Sequence, residues 1–133
     1  MTTQAHIYDT FIVGAGISGI AAAIRLQKVG YTNFKIIEKA SRVGGTWREN
    51  TYPGCGCDVP SSLYSYSFAP SAKWSHLFAR QPEILAYLEE VSENFNIKSS
   101  IQFNTALENA SWDDSRHLWI LDTNQGQYLS KTL

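Results

Sequence analysis

Three glycines, Gly14, Gly16 and Gly19, stand between a β-rich run and a set of apolar residues at helical spacing, and this arrangement constrains the fold more than any other feature of the chain. Tyr8-Asp9-Thr10-Phe11-Ile12-Val13 is the β-rich run. Ile17, Ile20, Ala21 and Ile24 then recur at the spacing of one helix face. Gly30 closes that helix, where a left-handed residue costs least, and Phe34-Lys35-Ile36-Ile37-Glu38 makes a second strand. Strand, helix and strand in this order predict one βαβ unit.

Between Lys39 and Gln81 the periodicity disappears. Pro53, Pro60 and Pro70 lie there, with Gly44-Gly45 and Gly54-Cys55-Gly56. So do Trp47, Tyr52, Tyr64, Tyr66, Phe68, Trp74 and Phe78, seven of the seventeen aromatic residues. A connection longer than about 15 residues is rare in a compact domain unless it has a task, and so many rings need a surface to pack on. The segment is therefore read as a covering loop. Order returns at Pro82, which suits a first helical turn, with Glu83 at the positive helix end and Ile84, Leu88, Val91 and Phe95 on one face. Ile101-Gln102-Phe103 predicts a short strand. Ala106 to Trp112 and Leu118 to Thr123 predict a hairpin around Asp113-Asp114-Ser115-Arg116, and Asn124 to Gln127 turns into a last strand from Tyr128.

Composition narrows the function. With 133 residues, 44% apolar and 17% charged, the chain has the size and balance of one soluble domain, which excludes disorder, collagen-like repeats and coiled coil. The net charge is −1 and the basic residues are scattered, so nothing gathers to neutralise nucleic-acid phosphates. Cys55 and Cys57 are too close together to staple a fold, as in a reducing cytosol. Met1 to Thr10 lacks the basic stretch of an export signal, and the apolar segment Phe11 to Ile24 is too short to span a bilayer, so a cytoplasmic chain is expected. Cys55, Cys57, His6, His76 and His117 do not form metal-ligand spacing. Ser18 is not set in a hydrolase elbow, the cysteine pair does not suit a disulfide reductase, and Glu89, Glu90 and Glu93 read as a solvated helix face.

The glycine turn carries the chemistry. Leaving a strand and opening a helix, Gly14 permits the tight turn, Gly16 lets a diphosphate approach the backbone, and Gly19 lets the helix pack on the strand. The helix N-terminus then holds the phosphates. Glu38, nineteen residues after Gly19, is placed to accept hydrogen bonds from ribose hydroxyls and would repel a 2′-phosphate. The implied cofactor is FAD or NAD, and not NADP. Gly44-Gly45 favours FAD, because two small residues after the second strand let the chain fold closely over a long dinucleotide.

These residues resemble the flavin-dependent Baeyer–Villiger monooxygenases and the related flavin-containing monooxygenases. The likeness rests on Gly14 to Gly19, Glu38, Gly44-Gly45-Thr46-Trp47, Tyr52-Pro53-Gly54 with Asp58, Ser65-Tyr66-Ser67-Phe68, and Arg80 to Leu85 leading into Tyr87-Leu88. It implies an α/β, Rossmann-like FAD-binding βαβ fold with a small antiparallel β-meander. It also implies a tightly held FAD that NADPH reduces and O₂ converts to a C4a-peroxyflavin. That species turns ketones into esters or lactones, or oxygenates nitrogen or sulfur. Carried over by position, Gly14, Gly16, Ile17, Ser18, Gly19, Glu38, Lys39, Gly45, Thr46, Trp47 and Asp58 are the cofactor-binding residues. The resemblance also implies a catalytic role for Asp58, as an acidic residue near the flavin ring that works with an arginine from farther along the chain.

The chain departs from the family by what it lacks: a second complete G-x-G-x-x-G and the fingerprint between the two dinucleotide sites. Residues 1–133 are therefore expected to be an N-terminal FAD-binding domain without the NADPH-binding and C-terminal parts, inactive alone and truncated before the strand that returns beside the first. Main-chain groups along Phe11 to Val13 would then be exposed, giving a marginal, self-associating protein that FAD stabilises. The alternative is a stand-alone, non-catalytic FAD- or NAD-binding module.

Overall fold

The structure is a computed structural model that describes residues 6–133. Met1 to Ala5, part of the stretch read above as unlike an export signal, lie outside the described residues.

The expected βαβ unit is present. Strand β1 (Ile7–Val13) leads through the glycine turn into helix α1 (Ile17–Lys28) and back to strand β2 (Phe34–Ile37), which pairs parallel with β1 from Thr10–Phe34 to Val13–Ile37. Alternation along the strands sends Phe34 and Ile36 toward the helices and Phe11 and Ile37 to the opposite face. Ile20, Ala23 and Ile24 are the buried stripe of α1: Ala23 takes the place expected of Ala21, which is half-buried, Ile17 is partly buried at the helix start, and Arg25 and Lys28 in the last turn complement the negative end of the helix dipole. Gly19 shows why that position must be glycine: a Cβ there would overlap the carbonyl oxygen of Gly14 and meet Ile12 Cγ2 at 3.4 Å. The helix sits directly on the turn that starts it.

The segment without periodicity contains a four-residue helix, α2 (Thr46–Glu49), followed by a covering excursion whose base is sealed. Gly56 bridges Arg80, the Cys57 N–H donates to Ala79 O at 2.8 Å, and the Gln81 N–H donates to Cys55 O at 3.0 Å. Tyr64, Tyr66, Phe68 and Trp74 pack against the core shared by α1 and helix α3 (Gln81–Asn94), whereas Tyr52 and Phe78 are exposed. Helix α3 starts with Pro82 in its first turn and buries Ile84, Leu88 and Val91 of the stripe predicted from spacing; the fourth member, Phe95, falls just past the helix end and packs on the core partly buried.

Strand β3 (Ile101–Gln102) pairs parallel with β2, and the meander follows as β4 (Leu107–Asp113), β5 (Leu118–Thr123) and β6 (Gly126–Thr132). The six strands form one sheet in the order β3-β2-β1-β6-β5-β4. Leu121, with Leu107, Ala110, Trp119 and Tyr128, packs on Phe11 and Ile37, so the meander covers the face opposite the helices.

One expectation is corrected. A strand does return beside β1, and it is β6, the third strand of the meander. One edge of β6 pairs antiparallel with β5, and the other pairs parallel with β1 through Ile7–Leu129, Tyr8–Ser130 and Thr10–Thr132. Lys131 Nζ reaches Asp9 Oδ1 at 2.6 Å, and the Thr132 hydroxyl donates to Asp9 O at 2.7 Å across the same seam. Hairpin chemistry in a sequence speaks for one edge of a strand. The other edge is satisfied more than a hundred residues away, with no local signal. The parallel register ends at Thr10, and past it Val13 is 49% exposed while Phe11 is buried.

Among the described residues no helix is long and apolar enough to cross a membrane, and no three His, Cys, Asp or Glu residues gather in metal-binding fashion. The contact of α1 with its own turn is directly testable. Gly19→Ala is expected to destabilise the fold by about 3 kcal/mol, because backbone rather than a flexible side chain must give way. Thermal unfolding checks this, and an unchanged Tm contradicts it.

Candidate functional site

The site is built by the end of β1, the mouth of α1 and the end of β2. The Gly14 N–H donates to Ile37 O at 2.8 Å and the Ala15 N–H to Glu38 Oε2 at 2.8 Å, which pins the glycine turn to β2. The next satisfied amide is that of Ile20, bonded to Gly16 O at 3.0 Å. Between them, the N–H groups of Gly16, Ile17, Ser18 and Gly19 have no acceptor among the described residues. No side chain caps α1, and its first turn contains no Asp or Glu. The positive end of the helix is thus left for an anion from outside.

Two adjoining hollows open at this mouth. A cleft of about 480 Å³ runs from Gly14 and Gly16 past Glu38 and Lys39 to Arg48, and is closed from the far side by Thr105 to Leu107. A second of about 260 Å³ is walled by Ile17, Ser18, Gly19 and Gly44 to Trp47. Gly16 and Gly45 wall both hollows, and their backbones touch: a Cβ on Gly45 would lie 3.0 Å from Gly16 Cα, and one on Gly16 would lie 3.5 Å from Gly45 Cα. The Gly44 N–H donates to Ala15 O at 3.0 Å. The glycine pair therefore packs on the turn itself.

Glu38 is 3% exposed, and its carboxylate has three partners. Its Oε2 accepts the Ala15 N–H, and its Oε1 accepts the Ala40 N–H at 2.9 Å and faces Arg48 Nη1 at 3.2 Å. A carboxylate has about four lone-pair directions, so one remains open, on Oε2. Arg48 also donates to Arg42 O and to Glu49 Oε1, both at 2.7 Å, and that bond holds the Glu49 carboxyl below its ordinary value. Lys39 is exposed, 3.8 Å from Glu49. Arg48, Asn50 and Thr105 line the cleft without having been singled out in the sequence. They come from stretches with no periodicity, and the Arg48–Glu38 pair spans ten residues of them, outside any helix or strand rule.

Ten of the eleven cofactor-binding residues expected from the sequence stand in these walls: Gly14, Gly16, Ile17, Ser18, Gly19, Glu38, Lys39, Gly45, Thr46 and Trp47. Trp47 is at the same time a core residue, since its indole N–H donates to the Tyr64 hydroxyl at 3.0 Å and the two rings meet edge-on at 5.6 Å. Asp58 stands apart. It is exposed, lines neither hollow and has no ion-pair partner among the described residues.

The buried pair gives a prediction. Glu38→Ala strips the acceptor from two amides and leaves the Arg48 guanidinium, 10% exposed, without its buried counter-charge. A loss of about 3 kcal/mol is expected in denaturant unfolding, and a loss below about 1 kcal/mol would contradict the role given to this carboxylate.

The NAD(P)-binding Rossmann-like domain family matches residues 12–81. A Baeyer–Villiger monooxygenase of Streptomyces coelicolor is 44% identical over 115 residues, and one of Pseudomonas aeruginosa is 47% identical over 117 residues. These alignments take in 86% and 88% of this chain but only 22% of each relative, so the chain spans about a fifth of their length. Among solved structures, an oxidized steroid monooxygenase bound to NADP matches with a TM-score of 0.88 at 42% identity, over 94% of this chain and 25% of that one. Cyclohexanone monooxygenase in its open form matches with a TM-score of 0.89 at 36% identity, over 96% of this chain and 26% of that one. The glycine turn, the βαβ unit built on it and a match over more than half of the residues lead to one assignment: the chain belongs to the NAD(P)-binding Rossmann-like domain family.

Proposed function

We propose that this chain is the FAD-binding part of a cytoplasmic flavoprotein monooxygenase. The enzyme would use NADPH and O₂ to convert ketones to esters or lactones, or to oxygenate amines or sulfides. The observation that carries the reading is the row of amides from Gly16 to Gly19, without acceptors among the described residues, at the mouth of two adjoining hollows, one of which passes Glu38.

The residues fit such a cofactor. Four N–H donors at a helix mouth with no acidic side chain suit a diphosphate, and Gly16 keeps the junction of the two hollows free of a side chain. The open lone pair of Glu38 suits one ribose hydroxyl. Glu38 and Glu49 against Arg48 and Lys39 leave that end of the cleft with no excess positive charge for a 2′-phosphate, which favours FAD over NADP. Lys39, Gly45, Thr46 and Trp47 complete the walls. Bound FAD supplies the redox and oxygen-activating chemistry, and the work of this chain is to grip and orient it and to keep water out. Asp58 takes the catalytic role implied by the resemblance. It is exposed and unpaired among the described residues, as an acid that meets an external arginine must be. Residues 1–133 form a FAD-binding domain in this reading, with NADPH, O₂ and the organic substrate handled together with other parts of the enzyme.

Reconstitution with FAD followed by desalting tests the proposal. The wild-type chain is expected to keep a visible flavin band and Gly16→Val to lose most of it while keeping its far-ultraviolet circular dichroism. Equal retention by both would overturn the placement of the diphosphate.

A further inference from the structure

The amides at the mouth of α1 bind an anion only if they point at it. A peptide unit is planar, with its C=O and N–H antiparallel, so a group that holds one residue's carbonyl also sets the direction of the next residue's N–H. The Gly44 N–H holds Ala15 O and so orients the Gly16 amide. The Tyr66 hydroxyl donates to Ile17 O at 2.5 Å, from 49 residues away, and so orients the Ser18 amide.

Tyr66 is itself firmly held. Its own N–H donates to the Tyr87 hydroxyl at 2.8 Å, and that hydroxyl donates to Ala69 O at 2.7 Å. Its ring stacks on Phe68 at 4.9 Å, and Phe68 in turn lies beneath Arg25 and Lys28 of α1 at 5.0 and 4.6 Å. Burial pushes the Tyr66 phenol well above its ordinary value, so the hydroxyl stays a donor.

We infer that Tyr66 is a positioning residue, which from the covering segment aims and polarises the Ser18 amide toward a bound diphosphate. A carbonyl that accepts a strong hydrogen bond makes the amide of its own peptide unit a better donor. Coupling of this kind is reciprocal, so a diphosphate on the Ser18 amide tightens the Tyr66 bond and steadies the covering segment. The inference rests on the reading of the α1 mouth as a diphosphate site.

Tyr66→Phe removes the hydroxyl and keeps the ring stack. Binding of FAD, ADP and adenosine, measured by calorimetry on the wild-type chain and the variant, separates the roles. FAD and ADP are expected to weaken about five- to tenfold in the variant, the worth of one hydrogen bond, and adenosine to bind unchanged. Unchanged ADP binding, or an equal loss for adenosine, would overturn the positioning role while leaving the diphosphate site standing. A wild-type chain that binds adenosine and ADP equally well would overturn the site and the inference together. Hydrogen exchange on the wild type gives a readout free of any folding defect in the variant. ADP, and not adenosine, is expected to slow exchange at the Tyr66 amide, and no slowing would count against the coupling.

Discussion

The carboxylate of Glu38 is the interaction on which the rest depends. It is buried and charged, and a buried charge without partners costs several kcal/mol, so every group it touches is held in place by necessity. Those groups are the Ala15 amide in the glycine turn, the Ala40 amide after β2, and Arg48 on α2. The backbone of the same residue bonds to Gln102 O and accepts the Thr105 N–H. One residue thus ties together the turn, the end of β2, the short helix and the chain entering the meander. The site and the fold are the same construction at this point, and the hollow at the α1 mouth keeps its shape because its floor is fixed by charge and its wall by the Gly16–Gly45 contact.

The covering segment lines the hollows only at its start, with Lys39 and residues between Gly44 and Asn50. Its rings do not fill the hollow. Trp47, Tyr64, Tyr66, Phe68 and Trp74 pack into the core shared by α1 and α3, with the indole of Trp47 spent on Tyr64 and the hydroxyl of Tyr66 spent on Ile17 O. A long stretch with little regular structure is kept in one place by side-chain hydroxyls that each find a main-chain or ring partner. That anchoring gives most of the aromatic residues in the part of the sequence without periodicity a surface to pack on.

Much of this was legible in the sequence, and what was not has a common cause. The βαβ unit, the α3 stripe of Ile84, Leu88 and Val91 and the hairpin follow from spacings of two, three or four residues and are present, with departures only at Phe95, which lies past the end of α3, and at Ala21, whose place in the α1 stripe Ala23 takes. Gly19 was legible too, because only glycine admits a helix so close to its own turn. The second edge of β6, the pairing of Arg48 with Glu38 and the reach of Tyr66 to Ile17 were not legible. Each joins residues whose separation obeys no period, and each is decided by packing once the local elements have formed. Asp58 is a different case: a resemblance alone singled it out, and it is exposed and lines neither hollow at the helix mouth.

The central claim is that the helix mouth grips a diphosphate and Glu38 holds the adjoining sugar. A crystal structure of the chain grown with FAD tests it most directly. Diphosphate oxygens should lie within about 3 Å of main-chain nitrogens between Gly16 and Gly19, with a ribose hydroxyl on Glu38 Oε2. Adenine dinucleotide bound elsewhere, or a sugar out of reach of Glu38, would contradict the account.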